Sequence, residues 1–149
     1  MYNTILVPLD GSKRAEAILP HVEQMAQHYN SEVVFMLVEE GPLLLGRDEI
    51  VDLSVYKQNL DKREKEIQVY LNERKKEFSD KGIKARTVTA HAPVVKAILN
   101  TAKNENADII AIASHGITGL DRSSYGSVAA GILQHIDRPL LLIRSLDHK

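Results

Sequence analysis

Thr4-Ile5-Leu6-Val7-Pro8-Leu9 is an unbroken apolar run that ends in Asp10-Gly11-Ser12. It is too short for a helix and lacks the alternation of a strand with one wet face. It therefore reads as a strand buried on both faces, the kind found in parallel sheets. Ser12 is placed to cap a helix whose apolar positions Ala15, Ile18, Leu19, Val22, Met25 and Ala26 recur at helical spacing. Pro20 falls inside that pattern, where it forfeits the bond to Glu16 and costs about 3 kcal/mol unless the helix bends, so a kink is expected there. Val33-Val34-Phe35-Met36-Leu37-Val38 is a second buried strand, and two such strands joined by a helix make a right-handed βαβ unit.

The rest of the chain continues the alternation. Residues 39–54 hold Gly41-Pro42, Gly46 and Leu43-Leu44-Leu45, which suit a long loop or a short irregular helix. From Val55 to Lys81 a narrow stripe of Tyr56, Leu60, Ile67, Leu71 and Phe78 runs through dense charge, with Asp61/Lys65 and Glu77/Lys81 spaced to pair at i,i+4. This is a long surface helix capped by Gly82, its charged run from Asp61 to Lys81 a solvated face. Ile83 to Ala90 carries Lys84 and Arg86 and fits a strand near a sheet edge. Pro93 opens a helix bearing Val94, Val95, Ile98, Leu99 and Ala102. Asp108 to Ala113 is another buried strand, Ser114 to Tyr125 a loop, and Val128, Ile132, Leu133 and Ile136 mark a last helix before the strand Leu140-Leu141-Leu142-Ile143. Five strands alternating with four helices imply an α/β fold: an open, doubly wound, five-stranded parallel sheet covered on both faces, with ligands at the carboxyl ends of the strands. No tandem repeat or linker breaks residues 1–149, so one domain is expected.

Composition narrows the chemistry. The 19 Lys and Arg nearly balance the 20 Asp and Glu, so no overall field draws nucleic acid or anionic lipid. There is no Cys, which removes disulfides, thiolate metal sites and cysteine nucleophiles. No secretory signal or bilayer-spanning stretch is evident, and the expected location is the cytoplasm. Gly41 to Asp48 imitates P-loop glycine spacing but lacks the Lys-Ser/Thr pair. A G-x-G-x-x-G after the first strand, G-x-S-x-G, H-E-x-x-H and any carboxylate cluster for two metals are also missing from the sequence.

Two loops at strand ends combine small residues with hydrogen-bonding groups: residues 8–12 and residues 113–127. Gly116 and Gly126 let the backbone approach an anion closely, and Ser127, Val128 and Ala129 offer the unpaired N–H groups of a helix start. Together they form a phosphate cradle that needs no lysine. His115 and Arg122 are the conspicuous side chains of the second loop. No spacing gives His115 an orienting carboxylate, so no general base emerges and any hydrolysis would be slow.

Ala113-Ser114-His115-Gly116, nine further residues and then Gly126-Ser127 resembles the G-x-x-G-(nine)-G-[S/T] nucleotide motif of universal stress proteins. Ile5 to Ser12, Ala107-Asp108-Ile109-Ile110 and Arg138 to Ile143 are similar to that family as well, over essentially the whole chain. The resemblance implies a Rossmann-like sheet of the adenine nucleotide alpha hydrolase type, ordered 3-2-1-4-5, and a regulatory stress-response protein that binds ATP, or ADP or AMP, with Mg²⁺. Under it, Pro8, Leu9 and Val38 frame the adenine and Asp10 lies by the ribose or the phosphate-bound Mg²⁺. Ile112, Ala113, Ser114, His115, Gly116, Gly126, Ser127, Val128 and Ala129 complete the nucleotide site. It also implies a homodimer, here through the edge strand Leu140, Leu141, Leu142 and Ile143. Two positions depart from the pattern, Ala113 for the first glycine and His91 for a glycine ahead of Pro93. A methyl at 113 weakens binding if that residue needs positive φ or a very close approach, and costs nothing if it merely ends a strand. The alternative function is a nucleotide-free dimeric scaffold of the same fold.

Overall fold

The computed structural model describes residues 1–39, 53–114 and 126–145. Within them the strands are β1 (Thr4–Leu9), β2 (Glu32–Glu39), β3 (Lys84–His91), β4 (Ile109–Ala113) and β5 (Leu140–Ile143). The helices are α1 (Leu19–Tyr29), α2 (Leu53–Ser79), α3 (Val94–Asn104) and α4 (Ser127–His135), with a 3₁₀ turn at Ala15–Ile18. All strands pair in parallel in the order β3-β2-β1-β4-β5, which makes β3 and β5 the edges and places the reversal between β1 and β4.

Period-two alternation divides the buried side chains between two layers. Ile5, Val7, Leu9, Val33 and Phe35 face α1 and α2, where Phe35 meets Phe78 edge to face at 4.9 Å between centroids. Leu6, Val34, Met36, Ile110 and Ile112 face α3 and α4. Burial of these strands on both sides is why they read as continuous apolar runs.

Pro20 does not kink a helix interior. It lies in the first turn of α1, after the 3₁₀ turn, where a missing N–H has no intrahelical partner to lose. Pro93 stands one residue ahead of α3 with extended ψ of 142°, after a cis bond from Ala92. Gly82 does serve the end of α2, with φ of +78°, while Ile83 N–H returns to the Phe78 carbonyl at 3.1 Å. Lys81 turns to Glu23 of α1 at 2.8 Å and Glu77 pairs with Arg74, in place of the Glu77/Lys81 pair expected within the helix. The middle of α2 is tied to the 3₁₀ turn through the Tyr70 hydroxyl, which donates to Glu16 Oε2 at 2.5 Å. Burial and the adjacent carboxylate push the Tyr70 phenol well above its ordinary pKa. On the far edge, Arg86 of β3 bridges Glu32 and Glu105 at 2.8 and 2.7 Å.

The seam between β1 and β4 positions the site. Pairing there consists of Ile5↔Ile109 and Leu6↔Ile110, although each strand runs three residues further, whereas β1 pairs with β2 through to Leu9↔Leu37. The reason lies in Pro8. Asn3 C=O accepts from Glu32 beside β2 and Thr4 C=O accepts from Asp108 beside β4, so even-numbered residues of β1 face β4. Pro8 is even-numbered and has no N–H to give, so the ladder cannot continue toward β4 at that residue.

Candidate functional site

The separated strand ends open into a cleft of about 250 Å³. Its floor is Pro8, Leu9, Ile112 and Ala113, one flank is Leu37 and Val38 of β2 with Val94 and Ile98 of α3, and one end is Gly126, Ser127, Val128 and Ala129. Asp10, Ala15, Arg63 and Ser114 complete the lining. The sequence-derived candidates Pro8, Leu9, Asp10, Val38, Ile112, Ala113, Ser114, Gly126, Ser127, Val128 and Ala129 thus converge on one cavity. His115, Gly116 and Arg122 lie outside the described residues, as do residues 40–52.

The first loop is a turn held by side chains. Asp10 Oδ1 accepts from Ser12 N–H at 2.9 Å and from Ser12 Oγ at 2.6 Å, and Ser12 Oγ accepts in turn from Ala15 N–H at 3.1 Å. Gly11 between them has φ of +87°, a conformation that favours glycine. One Asp10 oxygen is therefore committed to the turn that brings the 3₁₀ segment and Ala15 to the cleft.

The second loop is closed at its base. Ser114 C=O accepts the Gly126 N–H at 2.7 Å, Ser114 N–H donates to Ile143 C=O at 2.7 Å, and the Ser114 hydroxyl accepts from Ser145 N–H at 3.0 Å. Two sequence expectations change here. The Gly126 amide is bonded within the protein, to the Ser114 carbonyl. The Ser114 side chain, 1% exposed, works as a clamp between the end of β4 and Ser145, two residues beyond β5. Gly126 has φ of −60° and ψ of 156°, which any residue adopts, so only the room it leaves distinguishes glycine there. Beyond it, among the described residues no side chain caps the start of α4, and Ser127, Val128 and Ala129 line the cleft at the positive end of the helix dipole.

Ala113 is the last residue of β4, paired with Ile143 and without positive φ. Its backbone is ordinary strand, so the methyl carries no conformational cost. His91 pairs with Glu39 at 3.4 Å on the β2/β3 edge and does not line the cleft.

Sequence reasoning missed Ala15, Leu37, Arg63, Val94 and Ile98. The apolar four are indistinguishable in sequence from ordinary core positions. Arg63 belongs to the run read as a solvated face, yet it is one helical turn before the buried Ile67 and so falls on the stripe that meets the sheet.

Among the described residues no group of three or more His, Cys, Asp or Glu is arranged to hold a metal ion. Asp10 is the single carboxylate of the cleft lining among them. That donor set suits a Mg²⁺ that arrives on phosphates and keeps its waters, and does not suit a resident ion. No helix among the described residues is long and apolar enough to cross a membrane.

The sequence matches the model of the universal stress protein family over residues 1–144. Universal stress protein MJ0577 of Methanocaldococcus jannaschii is 28% identical over 97% of this chain and 96% of its own. A solved structure of MJ0577 superposes with a TM-score of 0.83 at 27% identity, covering 99% of each chain. Two more distant structures share the fold. One is a universal stress protein in complex with cAMP, at TM-score 0.70 and 17% identity over 97% of this chain and 98% of that one. The other is a family member from Arabidopsis thaliana with AMP bound, at TM-score 0.67 and 11% identity over 97% and 92%.

Proposed function

The chain belongs to the universal stress protein family, and from that premise we propose that it is an ATP-binding regulatory protein. MgATP occupies the cleft between β1 and β4, and the bound nucleotide alters the protein's contacts. The observation that carries this reading is the start of α4, uncapped by side chains among the described residues and placed at one end of a largely apolar cleft at the point where strand order reverses. An adenine ring fits the apolar flank of Pro8, Leu9 and Val38. The phosphates lie against Ser127, Val128 and Ala129, with Asp10 reaching the ribose or Mg²⁺, and His115 and Gly116 belong to the same site by motif. The cAMP and AMP complexes of distant relatives support an adenine nucleotide as the ligand class.

The working unit is a cytoplasmic homodimer of single-domain chains, paired through β5. That strand is a sheet edge with half-exposed Leu140, Leu141, Leu142 and Ile143, which a second copy would cover.

Isothermal titration with MgATP tests the reading. A saturable signal is expected, together with a rise in melting temperature. Gly126→Val is expected to abolish both, because Cβ branches at the N-cap fill the approach to the α4 amides. Wild-type protein without heat or thermal shift would overturn it.

A further inference from the structure

We propose that Arg63 of α2 is the charge-reading residue of the cleft: it favours nucleoside polyphosphates over the uncharged nucleoside. This rests on the nucleotide reading above. α2 has 27 residues and is about 40 Å long at ~1.5 Å per residue, whereas β3 beside it has 8 residues and spans about 26 Å at ~3.3 Å each. The C-terminal end of α2 is fixed to the start of β3 by the Ile83-to-Phe78 bond. The excess length must therefore emerge past the carboxyl ends of the strands, over the cleft. Burial follows the same course along one stripe. Phe78, Leu71 and Ile67 are 2%, 0% and 8% exposed, and Leu60 is 39% exposed. Arg63 stands on that stripe where the sheet ends, so its side chain meets the cavity and no core.

Among the described residues, the charged groups lining the cleft are Arg63 and Asp10. No described carboxylate lies in ion-pair range of Arg63, whereas Arg74, one helical stretch away on α2, is taken up by Glu16, Glu73 and Glu77. The α4 amides hold phosphate by partial charges, and the Asp10 carboxylate repels any phosphate that no Mg²⁺ bridges to it. A full positive charge in the cleft lining tips that balance toward a phosphorylated ligand over the uncharged nucleoside, an effect that salt screens.

The test is titration of wild type, Arg63→Ala and Lys62→Ala with MgATP, AMP and adenosine at two salt concentrations. Lys62 carries the same charge on the neighbouring face and does not line the cleft, so it controls for net charge. Arg63→Ala is expected to weaken MgATP by about fivefold or more, to weaken AMP as well, and to change adenosine within twofold, the gap from adenosine narrowing at high salt. Lys62→Ala should match wild type. Equal loss of ATP and adenosine, or no loss of ATP, would overturn the assignment. A wild type that binds none of the three removes the nucleotide reading, and the role of Arg63 falls with it.

Discussion

The two sides of β1 behave differently although one strand makes both. Toward β2 the ladder is continuous from Thr4↔Glu32 to Leu9↔Leu37, while toward β4 it stops after Leu6↔Ile110. The closed seam is backed by Phe35, Phe78 and the Tyr70–Glu16 contact, and it carries stability. The open seam carries the cleft. The site is thus made by interrupting a sheet whose other pairings are intact, at a residue that cannot donate a hydrogen bond. A substitution on the open side should therefore move ligand binding, and one on the closed side should move stability alone.

The largest effect on that contrast is expected at Gly131, where α4 rests on α3 beside the cleft. A Cβ there would lie 2.7 Å from Val95 Cγ2. Overpacking costs ~1–3 kcal/mol and the gain in helix propensity returns ~1, so Gly131→Ala should lose about 1 kcal/mol in urea unfolding. It should also shift the α4 amides and weaken MgATP. Adding Val95→Ala should restore both, and failure to do so would place the strain elsewhere.

Pro8→Ala addresses the seam itself. A returned N–H is worth ~0.5–1.5 kcal/mol if it pairs, and the freer unfolded chain takes back ~0.4–1, so net stability should change by less than ~1 kcal/mol. The informative readouts are a slowly exchanging amide at position 8 of the variant and weaker MgATP binding as the strands close. Fast exchange with unchanged affinity would mean that packing of α3 and α4, and not the proline, holds the strands apart.

The smallest effect belongs to the closed side. Tyr70 has a raised pKa in the folded chain, from burial first and then from Glu16. Unfolded tyrosine releases its proton near pH ~10, while the folded one still holds it, so the contact stabilises fully below that pH and is lost as pH rises above it. Urea stability should fall with pH from about 10 upward in wild type. Tyr70→Phe should flatten that slope without touching MgATP affinity at neutral pH.

Much of this was legible residue by residue. Ile5 to Leu9, Val33 to Val38 and Ile109 to Ala113 announce buried strands because both faces are covered and no polar position interrupts them. Gly82 and Ser12 were readable from cap chemistry, and the start of α4 from Gly126-Ser127 ahead of apolar residues at helical spacing. Pro8 was a signal that periodicity passed over, since apolar spacing does not record which residues can donate. The use of the Gly126 amide and the Ser114 hydroxyl could not be read, because both are spent on partners that the fold brings together, Ser114 itself and Ser145. The Arg63 signal, four residues before Ile67, was present but masked by the surrounding charge.

Local apolar runs, caps and turn residues fix which segments are strands and helices, because those preferences act over a few residues. They also fix the candidate cradle, since glycines and a helix start are sequence-local features. Which donors are left for a ligand and which charge overhangs the cleft was settled only in three dimensions. Hydrogen bonds between β4 and β5 and the excess length of α2 over the sheet depend on contacts between segments far apart in the chain.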